Sequence, residues 1–293
     1  MSELSDMVKR LGFTHLWIAV AAGSSAAGSL IAFSEHESVQ STDWSFLWAI
    51  SAFTGWVYTF QRWMKSTRNP EQMPASRLDF MRKQGGRLGV FWTLLTIWAA
   101  ARWLFEAGTP FAHLLTRQWP LMLLAAVMSI GYAFNPIGSR RGWRERPHLK
   151  LPTIALSWTL ATIVFPSSHL GLSWWDPENT HLWGIAISQA LFVAGITVPF
   201  DVRDVRLDPH EFQTWPQRWG ASSSIRIALF LLAISASGFV VFDLNWGRAA
   251  VAILALPVVA WTIRPRKEAA YSILLDGLLI LQGSAVFWFS TLN

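Results

Sequence analysis

The chain has 293 residues, of which 52% are hydrophobic and 14% charged, with 19 Trp, 19 Phe and a mean hydropathy of +0.32. That charged fraction is well below the roughly 25% of an ordinary soluble domain, which excludes a disordered chain, a fibrous one and almost any soluble enzyme. Net charge is +6 and there is no Cys, so neither a disulfide framework, a thiolate nucleophile nor a Cys-zinc site is available.

A membrane-crossing helix needs about 20 mostly apolar residues. Nine segments qualify in chain order: 12–33, 44–61, 88–107, 118–134, 151–166, 182–200, 224–242, 247–263 and 271–291. The expected fold class is therefore all-α, a polytopic integral membrane protein with nine transmembrane helices in one domain over 1–293. Lys9 and Arg10 before AVAAGSSAAG also resemble a secretory signal, whose removal would leave eight spans. Cytoplasmic loops collect Lys and Arg. With nine spans and a cytoplasmic N-terminus, all but three of the 24 basic residues (Arg102, Arg117 and Arg248) fall on one side. The opposite loops 34–43 and 167–181 hold acids and no Lys or Arg. The C-terminus is then outside, the expected location is a bacterial cytoplasmic membrane, and the basic excess belongs to the lipid bilayer rather than to nucleic acid. Trp143, Trp174, Trp175, Trp215 and Trp219 lie near span ends as interfacial anchors.

The two longest cytoplasmic loops, about 62–87 and 201–223, are the expected site. In PFDVRDVRLDPHEF, Asp201, Asp204 and Asp208 stand at i, i+3 and i+7, within about 60° of one another at 100° per residue. Arg203 and Arg206 project to the opposite side, so local neutralisation of the acidic face is not expected. Adjacent carboxylates at a membrane boundary repel unless a cation is supplied. Mg²⁺ suits such a set, completing its shell with water and substrate phosphates. The alternative is a solvated helix end, or acids paired with basic residues of another helix.

The pattern D-V-R-D-V-R-L-D after the sixth span, followed by Thr214-Trp215-Pro216-Gln217-Arg218-Trp219-Gly220, resembles the UbiA superfamily of intramembrane prenyltransferases. That family has nine helices and a second D-x-x-D-x-x-x-D motif at this place, then a stretch like T-L-P-x-x-L-G. Tyr132, Pro136 and Lys150 with the following LPTIALSW are similar to its fourth and fifth helices and their joining loop. The resemblance implies Mg²⁺ on Asp201, Asp204 and Asp208, a prenyl diphosphate and a lipophilic acceptor. The family's first motif, N-D-x-x-D-x-x-x-D, aligns with Gln61 to Asn69, where Arg62, Lys65 and Asn69 take the three aspartate positions and no acid occurs between 44 and 70.

Three readings follow. In the first, a prenyltransferase grips the diphosphate with Arg62, Lys65 and Arg68, with Asn69, Tyr58, Tyr132, Lys150 and Asp276 as further substrate contacts. In the second, Arg62 and Lys65 pair with the aspartates, and the inactive fold binds a lipid or a protein partner. In the third, the chain cyclises a prenyl diphosphate. Asp276 lies inside the ninth span, where a carboxylate is costly and a functional candidate by default. Arg102 and Glu106 are spaced as an i, i+4 ion pair. Ser188, Gln189 and Asn135 are placed for interhelical hydrogen bonds, and the run Arg140, Arg141, Arg144, Arg146 for lipid headgroups. The histidines show no zinc or haem spacing. A transporter is the rival of another class, but the acids cluster at one face rather than the midplane.

Overall fold

The computed structural model describes residues 12–34, 41–106, 111–133, 142–143, 146, 148–174, 176–208, 213–243, 245–264, 266 and 271–292. Asn135, Pro136, Arg140, Arg141, Arg144 and Trp175 lie outside these residues. Among the described residues the structure is helical with no strand.

Each apolar segment read from the sequence lies on a helix. These are α1 (Leu16–Phe33), α2 (Ser41–Arg68), α3 (Ala75–Glu106), α4 (Phe111–Ala133), α5 (Lys150–His169), α6 (Thr180–Asp204), α7 (Ala221–Phe242), α8 (Trp246–Trp261) and α9 (Tyr271–Leu292). Six of them, α1, α3, α5, α6, α7 and α9, are long and apolar enough to cross a membrane. The apolar parts of α4 and α8 are shorter, and α2 is long but carries more polar residues. The chain is thus an all-helical protein with several helices fit for a bilayer.

The helices overrun the apolar segments, and this changes the expected loops. Between Arg62 and Arg87 there is no open loop: α2 continues to Arg68, a short turn at Pro70–Gln72 reverses the chain, and α3 begins at Ala75. Lys and Arg are good helix formers, so polar sequence does not end a helix. Pro70 does, because proline lacks an N–H and restricts the residue before it, and Pro74 opens α3, its carbonyl accepting from the Arg77 and Leu78 N–H groups at 3.0 and 2.9 Å. At the other end α1 starts later than expected, at Leu16, because His15 adopts a left-handed conformation with φ 61°. Pro166 is accommodated within α5 because the preceding turn, Leu160–Val164, widens to a π-helix.

α1 packs against α2 and α2 against α3, the helices α5 to α9 pack in succession, and α9 returns to lie against α1. That last crossing is close enough to demand glycine, since a Cβ on Gly283 would stand 1.9 Å from the Ser24 carbonyl oxygen. One large core runs through α1, α5, α6, α7, α8 and α9, with Ile163, Phe192, Leu232, Phe239 and Leu275 fully buried. Outside that core, on α3, Arg102 bonds Glu106 at 2.8 Å as the spacing predicts, and Ser45 of α2 donates to the same carboxylate.

Candidate functional site

A cavity of about 190 Å³ opens between α1, α2, α4, α5, α6 and α9, with Arg77 of α3 also in its lining. Its walls are sorted by chemistry. Arg62, Arg77, Lys150, Asp201, Arg203 and Asp204 come from near the ends of their helices, whereas Ile18, Val57, Met128, Trp158, Val193 and Leu279 lie further along the bundle, with Ser129, Ser157 and Thr197 among them. Between them stand His15, Tyr58, Tyr132 and Asp276.

Local structure explains how the charged end forms. Asp201 and Asp204 occupy the last turn of α6, and Asp208 follows on a continuing turn in which its N–H donates to the Asp204 carbonyl at 2.8 Å. Lys150 opens α5, so its ammonium arrives from across the cavity. Its Nζ stands 2.6 Å from Asp201 Oδ1 and 3.1 Å from Asp208 Oδ2, and the three side chains are 13%, 8% and 1% exposed. Arg203 bonds Asp204 with both Nε and Nη2, at 2.7 and 2.9 Å. This corrects the helical-wheel expectation that Arg203 points away from the acidic face. The helix ends at Asp204, and the guanidinium folds over the Phe200 and Tyr271 rings, 5.2 and 5.4 Å from their centroids, to reach its neighbour.

The stretch Thr214 to Gly220 closes the loop behind this cluster. Gln217 Oε1 accepts from the Thr214 N–H at 3.0 Å at the start of the helix Trp215–Trp219, and Gln217 Nε2 donates to the Asp208 carbonyl at 2.9 Å. Arg218 meets His148 at 3.2 Å, tying the same segment to the start of α5. The motif therefore positions Asp208 against Lys150 without itself lining the cavity.

The residues singled out from the sequence divide into two groups. Arg62, Tyr58, Tyr132, Lys150, Asp201, Asp204 and Asp276 line the cavity. Lys65, Arg68 and Asn69 do not: they lie one to two turns further along α2 and its end, with Lys65 buried and Arg68 exposed. Asp208 sits behind the wall, joined to it through Lys150. Two cavity cations were not anticipated from the sequence as site residues, Arg203 and Arg77. The signal for Arg77 is its place on the buried stripe of α3, four residues before Met81 and eight before Gly85, where a cation heads an otherwise apolar face. It packs over the Phe13 ring at 5.2 Å. His15 was likewise read only as lacking metal-ligand spacing. Its ring nitrogen Nδ1 lies 2.9 Å from Thr59 Oγ1, which orients the imidazole at the cavity wall. The Trp158 indole N–H donates to the Tyr58 hydroxyl at 3.2 Å.

The lining joins four cations and the carboxylates Asp201, Asp204 and Asp276 with apolar side chains. Four cations at the mouth supply charge-assisted donors for phosphate oxygens, and the apolar end shelters a chain from water. Magnesium fits this donor set poorly. Asp201 and Asp208 converge on an ammonium and Asp204 on a guanidinium, and among the described residues no three His, Cys, Asp or Glu are grouped to hold a metal ion.

Comparison with family models gives no match, no curated protein is similar to the chain, and no solved structure matches it.

Proposed function

We propose that this chain is a nine-span protein of the bacterial cytoplasmic membrane, N-terminus inside and C-terminus outside, that binds a prenyl diphosphate and transfers its prenyl group to a lipophilic acceptor. One observation carries the reading: Arg62, Arg77, Lys150 and Arg203 line the same cavity as the apolar side chains Ile18, Val57, Met128, Val193 and Leu279. The resemblance to UbiA prenyltransferases and the one-sided basic residues support it.

In this reading the diphosphate sits on the mouth cations and the tail enters between Trp158, Val193 and Leu279. The allylic C–O bond breaks with its electron pair leaving on the diphosphate, whose growing charge the guanidinium and ammonium groups stabilise. The carbocation forms in a water-poor chamber and is captured by the acceptor, which gives up a proton as the new bond closes. Asp201, Asp204 and Asp208 act as counter-ions that hold Lys150 and Arg203 in place. The chain's own cations thus take the part that Mg²⁺ plays on the aspartates of the family.

The test is binding of geranyl diphosphate to the purified protein, with Mg²⁺ and with EDTA. Binding that survives EDTA is expected. Binding seen only with Mg²⁺ would show that the metal displaces Lys150 from the aspartates, and no binding in either condition would sink the reading. Topology is checked separately, because a chain without Cys accepts single reporters. A cysteine at Lys83 should react with an impermeant maleimide only after cells are opened, and one at His181 before.

A second reading, an inactive fold holding a lipid or protein partner, draws on the Lys150–Asp201, Lys150–Asp208 and Arg203–Asp204 pairs, which neutralise the mouth without any ligand. A prenyl diphosphate that binds and is never turned over, alone or with membrane-extracted acceptors, would favour it.

A further inference from the structure

The inner end of the cavity rests on a buried polar layer. On α5, α6 and α9 the innermost cavity residues are Trp158, Val193 and Leu279. One turn further in, the chemistry changes: Thr162 lies four residues beyond Trp158, Gln189 four beyond Val193 and Gln282 three beyond Leu279. These side chains are joined. Gln189 Nε2 donates to Gln282 Oε1 at 3.0 Å and to Thr162 Oγ1 at 3.3 Å, and Ser25 of α1 donates to the same Gln282 oxygen at 3.3 Å. Gln189 and Thr162 are fully buried and Gln282 is 1% exposed.

This layer differs from ordinary interhelical bonding in being unsaturated. Among the described residues Gln189 Oε1 and Gln282 Nε2 are buried with no hydrogen-bond partner. A hydrocarbon chain pressed against it would separate the glutamines and leave more amide groups buried and unpaired, which is strongly unfavourable. Leu at both glutamine positions would remove that polar penalty and leave only apolar packing to be displaced.

The depth of the apolar segment is set by the helices. Trp158 is eight residues inward from Lys150, and Val193 eight inward from Asp201. A depth of about 12 Å follows at about 1.5 Å per residue, room for roughly two to three isoprene units if a four-bond unit extends about 4.7 Å.

We propose that the Gln189–Gln282–Thr162–Ser25 layer is a length stop that restricts the site to short isoprenoid diphosphates, geranyl and farnesyl, and excludes long polyprenyl chains. The inference rests on the prenyl-diphosphate reading above and adds the tail class that the site accepts.

The experiment is equilibrium binding of geranyl, farnesyl, geranylgeranyl and solanesyl diphosphate to the full-length protein in detergent, with inorganic diphosphate as competitor. Farnesyl diphosphate is expected to bind more tightly than solanesyl diphosphate by on the order of tenfold or more, the effect of breaking one buried polar pairing. The double variant Gln189→Leu with Gln282→Leu should erase that preference. Ser157→Phe, at the cavity wall beside Trp158, alters no member of the layer and provides a second route: farnesyl binding should fall while geranyl binding is kept. Equal affinity for all four lengths, or a preference unmoved by both variants, overturns the length stop. Failure of inorganic diphosphate to displace any prenyl ligand overturns the head-group reading instead, and the two failures are distinguishable because one varies the tail and the other the head.

Discussion

Two of the ionic clusters in this bundle have opposite characters. At the cavity mouth, cations from α2, α3, α5 and α6 converge from separate parts of the chain on a shared space. Beyond the polar layer, Arg248 of α8 pairs with Asp243, five residues earlier, and is 1% exposed. Its second arm donates to Ser29 of α1 at 2.8 Å, its guanidinium lies 5.5 Å from the Phe33 ring centroid, and Ser29 donates in turn to the Thr162 carbonyl that the π-turn of α5 presents. This second cluster is buried among the helices and pins α1, α5 and α8 together. Charge in a membrane protein is thus no sign of function by itself: what separates a site from a pin is whether the charges face a cavity.

The comparison is broken most severely at Arg248. Arg248→Ala strands the Asp243 carboxylate in a dry interior, and loss of one partner of such a pair costs about 3–5 kcal/mol. We expect a large drop in thermal unfolding temperature in detergent, with prenyl-diphosphate affinity of the folded fraction unchanged. An isosteric pair, Arg248→Met with Asp243→Leu, should recover most of the stability, because it removes both charges together. A double variant as unstable as the single one would mean that the bonds to Ser29 and Phe33, rather than the ion pair, carry the effect.

Lys150 lies between the two extremes. It faces the cavity, yet it neutralises Asp201 and Asp208. Lys150→Met should therefore cost stability as well as binding, by about 1–3 kcal/mol, less than the enclosed pair because the cavity admits water to the stranded acids. The informative readout is Mg²⁺. With the ammonium gone, the carboxylates become the oxygen-rich set that the sequence spacing suggested, and Mg²⁺ should raise the unfolding temperature of the variant while leaving the parent protein unmoved. Equal response of both proteins would show that the metal already competes with Lys150.

The boundary between what the sequence disclosed and what it did not follows the same physics. Apolar runs such as 182–200 and 224–242 are legible because bilayer and core impose one requirement, that side chains be apolar over a whole helix. The ends of those helices are not legible this way, since hydropathy measures solvent preference and the backbone of Gln61–Arg68 or Ala75–Arg87 satisfies its hydrogen bonds by staying helical in water. The carboxylates of α6 were legible as a face, because their spacing is a property of one helix. Their partners were not. Lys150 comes from 51 residues before Asp201 and was reached through a resemblance, and Arg203 turned inward through ring contacts with Tyr271 that no local pattern encodes. The cation on α3, Arg77, was hidden among the many basic residues that mark the cytoplasmic side.

The finest contrast lies within α2 itself. Arg62 lines the cavity, whereas Arg68, six residues on, is exposed and outside it. Both were read as phosphate contacts from their position in the altered first motif. Arg62→Ala should weaken farnesyl diphosphate binding about tenfold, in line with the loss of one hydrogen bond to a charged group at about 1.5 kcal/mol. Arg68→Ala should change neither binding nor stability by more than about 0.5 kcal/mol, as is usual for a surface position. Titration of both variants under one salt condition makes the comparison, because a general electrostatic attraction to the basic face would weaken equally in the two and vanish with added salt. A cavity-borne contact instead separates them, and the difference persists at high ionic strength because the Arg62 guanidinium meets the head group where little solvent intervenes.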